Sequence, residues 1–126
     1  MPDTPPRLHA LCRYDELAHG ESREFPLPDG DTRSVFAIRH QQRIYVYLNR
    51  CPHTGAPLNW GNDQFLNFDR SLIQCTLHGA QFRIENGLCI WGPCLRQHLT
   101  ALPVRVEKEM VWIDLGTLAE PAWRAR

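Results

Sequence analysis

Residues Ser34–Leu48 read SVFAIRHQQRIYVYL: two runs rich in Val, Ile, Phe and Tyr on either side of His40-Gln41-Gln42. β-Branched and aromatic side chains suit a pleated, half-buried surface. A short polar break between two such runs marks a β-hairpin. Outward from this hairpin the same rhythm continues. Leu8–Cys12 alternates as a first strand, followed by loop or single-turn signals at Asp15-Glu16-Leu17 and His19-Gly20-Glu21. Ser71–Cys75, Ala80–Ile84 and Leu88–Ile90 are further strand candidates, with Glu85-Asn86-Gly87 as a tight turn. Leu102–Glu107 and Met110–Asp114 form a last hairpin across Lys108-Glu109, and only Thr117–Arg126 leans towards helix, interrupted by Pro121. No repeat or low-complexity linker breaks the pattern. It predicts an all-β fold, an antiparallel sandwich or partly open barrel.

The chain has 126 residues, enough for one ordinary domain, and its 43% hydrophobic and 22% charged content predicts one packed unit over 1–126. Fourteen basic residues balance fourteen acidic ones without long runs of one sign, which argues against nucleic acid or a lipid surface as main partner. Apolar runs such as Arg43–Leu48 are too short to span a membrane. The opening MPDTPPRLHALCRY lacks a basic stretch followed by an apolar one, so a cytoplasmic location is expected. In a reducing compartment, five cysteines point to metal ligands or buried thiols more than to a disulfide framework.

Residues 49–79 interrupt the strand rhythm with Pro52, Gly55, Pro57, Gly61 and Gly79. This reads as a loop-rich excursion from a β scaffold, the usual location of a site. Within it lie Cys51-Pro52-His53-Thr54-Gly55 and Cys75-Thr76-Leu77-His78-Gly79, each offering one thiolate and one imidazole, with 21 residues between His53 and Cys75. Singly, each of the four would pass as a packing or surface residue. Two matched pairs, each followed by a glycine, argue otherwise. A mononuclear zinc site usually separates paired ligands by two or more residues, and only Pro52 lies between Cys51 and His53. That spacing suits side chains reaching two different metal ions, and zinc in the same four ligands ranks second.

The C-x-H and C-x-x-H pairs resemble the Rieske iron–sulfur family, whose [2Fe–2S] centres replace two cysteines with two histidines on one iron. The resemblance implies that Cys51 and Cys75 bind the inner iron and that His53 and His78 bind the outer one. Leu58 and Gly92-Pro93 also match, the latter as a third loop covering the cluster, and the likeness runs over roughly residues 34–114. It implies a Rieske-like sandwich with a cluster-binding subdomain of loops at about 49–60, 75–82 and 91–95. The spacing between the pairs is longer than in ferredoxin-type members, so an extended loop, Trp60–Arg70, is expected beside the cluster. High-potential relatives add a cysteine to each loop and place serine and tyrosine hydroxyls against the cluster sulfurs. Ala56, Leu77, Ala80 and Phe82 stand at the matching positions here, which implies a low-potential type.

A ferredoxin-like one-electron carrier between a reductase and an oxygenase-type partner follows from the resemblance, as a monomer or weak oligomer. By the family's geometry, a partner would dock over His53 and His78, with Thr54, Gly55, Leu77 and Gly79 lining the tip. The chain is too short for a catalytic mononuclear iron domain, and after Gly79 only His98 remains to supply an imidazole. No catalysis of its own is therefore expected. The alternatives are a small Rieske subunit of a larger reductase and a zinc-stabilised interaction module; balanced charge and a mean hydropathy of −0.40 favour a free protein. Cys12 reads as a core thiol. Cys89 and Cys94 have a spacing that allows a small disulfide, but they are expected as free thiols, with Cys94 near the cluster. His9, His19, His40 and His98 show no partner pattern. Trp60, Trp91 and Trp112 are expected in the core or shielding the cluster, and Trp123 at a weak contact site.

Overall fold

The structure is a computed structural model that describes residues 8–28, 30–52, 55–59, 64–76 and 79–118. Its strands are β1 (Leu8–Arg13), β2 (Ser22–Pro26), β3 (Ser34–His40), β4 (Arg43–Leu48), β5 (Leu72–Gln74), β6 (Gln81–Arg83), β7 (Cys89–Trp91), β8 (Ala101–Leu102), β9 (Val104–Glu107) and β10 (Met110–Asp114). Among the described residues no α-helix forms, only single 3₁₀ turns at Tyr14–Glu16 and Leu115–Thr117. Three antiparallel sheets result, ordered β1-β10-β9, β2-β3-β4-β8 and β5-β6-β7. The all-β expectation holds, and the sheets stay open.

The central hairpin is buried on both faces, which is why its sequence shows no apolar–polar alternation. From β3, Val35 and Ala37 enter one core with Cys12, Leu17, Val111 and Ile113. Phe36 and Ile38, on the opposite face, enter a second core with Leu58, Phe65, Ile73, Phe82 and Ile84. The sheet β2-β3-β4-β8 thus carries β1-β10-β9 against one face and the loop-bearing β5-β6-β7 against the other. Tyr47 on β4 ties the second interface, donating its hydroxyl to the Ile84 carbonyl at 2.5 Å.

One expectation needs correction, and two features go beyond the sequence reading. Leu102–Glu107 is not one strand: Ala101–Leu102 pairs with β4, whereas Val104–Glu107 pairs with β10. Pro103, which lacks an N–H, sits where the chain changes sheets. The strand Ser22–Pro26 was not legible, because SREFP carries little apolar patterning. It forms as an edge paired to β3 from Ser22↔Ile38 to Pro26↔Ser34. The extended loop is also more than an excursion. Phe65 is fully buried and stacks on Phe36 at 4.3 Å, and Leu66 bridges to Ile73. Arg70 Nη1 donates to the Gly20 carbonyl at 3.0 Å. Trp60, Pro121 and Trp123 lie outside the described residues.

Candidate metal centre

Two loops share one hydrogen-bond frame. In the first, the Cys51 N–H donates to the Ala56 carbonyl and the Gly55 N–H returns to the Cys51 carbonyl, both at 2.7 Å. In the second, the Cys75 N–H donates to the Ala80 carbonyl at 2.8 Å and the Gly79 N–H to the Cys75 carbonyl at 3.0 Å. Both reversals pass through a glycine in the left-handed region, Gly55 at φ 80° and Gly79 at φ 72°, which side chains rarely adopt. The sequence signal for this equivalence is a repeated C-x-x-x-G-A, CPHTGA at 51–56 and CTLHGA at 75–80. The histidine stands one place later in the second copy.

Cys51 and Cys75 are 2% and 1% exposed and belong to the same apolar core. Thr76 fastens the second loop to the segment after the first: its N–H and hydroxyl both donate to the Leu58 carbonyl, at 2.8 and 2.7 Å. The Leu58 N–H in turn donates to Asn49 Oδ1 at 2.8 Å. Asn49 and Asn59 are the buried polar residues among those described. Asn49 Nδ2 reaches Asn59 Oδ1 at 2.9 Å and Glu24 Oε2 at 3.1 Å, and Asn59 Nδ2 donates to Glu24 Oε1 at 2.9 Å. The Ser34 hydroxyl completes the network on Glu24 Oε2 at 2.6 Å. Burial pushes the Glu24 carboxyl up, but the hydrogen bonds from Ser34, Asn59 and Asn49 more than reverse this and leave it below the usual carboxylate range. Sequence reading missed these residues, since no local signal links positions 24, 34, 49 and 59.

The third loop closes on the second. A Cβ on Gly92 would lie 2.8 Å from Ala80 Cα, so only glycine permits this approach, and a Cβ on Gly79 would lie 3.6 Å from the Trp91 ring. Trp91 is 60% exposed, so it caps the second loop from outside instead of packing in the core. Trp112 is half-buried on β10. Cys94 is fully buried, and burial, then its neighbours Cys89 and Cys51, push its thiol up to about 12. Cys12 is a core thiol as expected, pushed up first by burial and then by Glu16. Contrary to expectation, two of the remaining histidines have partners. His19 Nδ1 accepts from the Gln41 N–H at 3.2 Å, its ring stacks on His40, and His40 lies 3.4 Å from Glu85. His53, Thr54, Leu77 and His78 lie outside the described residues.

Two buried thiols stand on matched loops in one apolar core, the donor type of a thiolate-bound metal centre. The donor set fits a soft, thiolate-bound centre. The Rieske [2Fe-2S] domain model matches residues 7–109. The human apoptosis-inducing factor 3 is 32% identical over 104 residues, which are 82% of this chain and 16% of that protein. The 3-phenylpropionate/cinnamic acid dioxygenase ferredoxin subunit of Shigella boydii is 30% identical over 86% of this chain and 93% of its own length. Among solved structures, the ferredoxin of carbazole 1,9a-dioxygenase from Nocardioides aromaticivorans has the same fold, with a TM-score of 0.67, 24% identity and coverage of 86% and 97%. The chain belongs to the Rieske [2Fe-2S] domain family. It is a ferredoxin-like electron-transfer protein with a [2Fe–2S] cluster as cofactor.

Proposed function

We propose that Cys51 and Cys75 bind one iron and that His53 and His78 bind the other, within a single Rieske domain spanning 1–126. The observation that carries this reading is the shared frame of the loops, Cys51–Ala56 and Cys75–Ala80, which presents two buried thiols equivalently. When bound, the [2Fe–2S] cluster takes up and releases one electron. The chain's own part is to hold the two cysteines in a water-poor core, fix the loops through Thr76, Leu58 and Asn49, and cap the second loop with Trp91. The protein passes electrons from a reductase to an oxygenase-type partner in the cytoplasm, as its likeness to a dioxygenase ferredoxin subunit suggests. The chain spans only 16% of apoptosis-inducing factor 3. That coverage favours a second reading, in which the domain serves as part of a larger reductase assembly.

Protein purified without air should contain two irons and two acid-labile sulfides per chain, and its reduced EPR signal should show a lower average g-value than an all-cysteine cluster gives. Cys51→Ala or Cys75→Ala should abolish both iron and sulfide, because ligand binding and loop folding are coupled. Stoichiometric zinc without sulfide in protein from iron-replete cells would overturn the reading. Co-purification of a reductase in a fixed ratio would favour the subunit.

A further inference from the structure

Cys89 and Cys94 stand outside the proposed ligand set, yet their sulfurs lie 3.0 Å apart. The backbone holds them there. The Cys89 N–H donates to the Gln97 carbonyl at 2.8 Å, the Arg96 N–H returns to the Cys89 carbonyl at 3.1 Å, and the Gln97 N–H closes on the Cys94 carbonyl at 2.9 Å. The segment after β7 thus folds back on Cys89, and both thiols enter the core that contains Cys51 and Cys75. The Cys89 thiol donates to the Trp91 carbonyl at 3.3 Å, and the Cys94 thiol donates to Cys89. A disulfide requires a sulfur–sulfur separation of about 2.0 Å, so closure needs a further approach of about 1 Å.

Both sulfurs are buried, Cys89 at 1% and Cys94 at 0% exposure. Apart from its bonds to Gln97 and Arg96, the strand that carries Cys89 is held by its sheet on one side only. β7 has three residues, lies at the edge of its sheet, and pairs only with β6, across a register shift. Short edge elements with few ladder bonds open locally at low cost, and such opening exposes a thiol to a small reagent.

We infer that Cys89 and Cys94 are a modifiable dithiol, oxidised by low-molecular-weight disulfides of the glutathione type to an intramolecular disulfide behind the Cys51 loop. The Cys89 sulfur attacks one sulfur of the oxidised reagent; the reagent's S–S bond breaks, a mixed disulfide forms, and the Cys89 proton leaves with the first reagent thiol. The Cys94 sulfur, 3.0 Å away, then attacks the Cys89 sulfur; the mixed disulfide breaks, and the Cys94 proton leaves with the second reagent thiol. The chain loses two protons and two electrons, and the reagent gains both. The product staples the turn whose Gly92 packs on Ala80, so the oxidised form should hold iron longer against a chelator.

The test equilibrates air-free holoprotein in glutathione buffers of graded ratio, quenches in acid, alkylates under denaturing conditions and determines the mass. Alkylatable cysteines should fall from five to three in the oxidising buffers, with the loss of two hydrogen masses, and dithiothreitol should restore five. Peptide mapping should join Cys89 to Cys94, and Cys89→Ser or Cys94→Ser should abolish the change. Five alkylatable cysteines in the most oxidising buffer, or a persistent glutathione adduct on one cysteine, would overturn the proposal. The unaltered protein decides the question even if a variant fails to fold. Thiol count is read independently of metal content, so failure here is distinct from failure of the ligand assignment.

Discussion

Ala80 closes the second ligand loop, is 1% exposed and brings no side-chain donor to the sulfurs that the loop would hold. Phe82, two residues on, is fully buried and equally without a donor. Hydrogen bonds to sulfur favour the more negative, reduced state of an iron–sulfur centre, so alanine and phenylalanine here keep the potential down. The midpoint should fall in the lower part of the Rieske range, roughly −150 to 0 mV. Ala80→Ser places a hydroxyl at the loop and should raise the midpoint by spectroelectrochemical titration, more than Ala80→Val does. A midpoint of roughly +300 mV in the unaltered protein would mean that other groups donate to the sulfurs.

At the scale of the elements, the β3–β4 turn shows a local cost. Gln41 and Gln42 both adopt positive φ, 54° and 80°, the geometry that two-residue hairpins require and that Asn-Gly meets with least strain. Replacing the pair by Asn-Gly should stabilise the fold by about 1 kcal/mol and raise Tm by about 4 °C in a thermal scan. The edge strand β2 contributes through Glu24, which accepts from Ser34, Asn49 and Asn59. Its folded-state pKa is lowered from 4.5, so this support is complete above that value and fades as pH falls through the folded pKa. Cluster loss on acidification should therefore steepen below about pH 4.5. Glu24→Gln turns one acceptor into a donor facing donors, costs about 1–3 kcal/mol and should speed bleaching near neutral pH. Equal bleaching rates would remove Glu24 from the loop's support.

Across the whole molecule, the sheet β2-β3-β4-β8 links two cores, and Tyr47 joins the scaffold to the loop-bearing half. It is 2% exposed, and burial holds its phenol well above the usual tyrosine range, so the hydroxyl stays a donor to the Ile84 carbonyl. Tyr47→Phe leaves that carbonyl without its donor in a dry site and should destabilise by about 1–3 kcal/mol in denaturant unfolding. Because the bond crosses between sheets, the loss should also raise hydrogen exchange in β5-β6-β7 more than in β1-β10-β9. Uniform exchange in both would show that the two cores open together.

The sequence by itself determined the strands with strong local patterning and named the candidate ligands. The runs flanking His40-Gln41-Gln42 are β-formers in any context, and a thiolate beside an imidazole retains its chemistry wherever the chain places it. The repeated C-x-x-x-G-A was also legible, because its frame depends on hydrogen bonds within six residues. Only the tertiary structure decided that SREFP becomes a strand, since its pairing partners come from β3 and not from its own pattern. It likewise decided that Phe65 in the long loop fills a core, and that Glu24, Asn49 and Asn59 brace the site. The sulfurs of Cys89 and Cys94 meet for the same kind of reason, through a backbone reversal between Cys89 and Gln97. Each of these contacts depends on side-chain or backbone partners that packing brings together, and such pairings leave little trace in local residue preference.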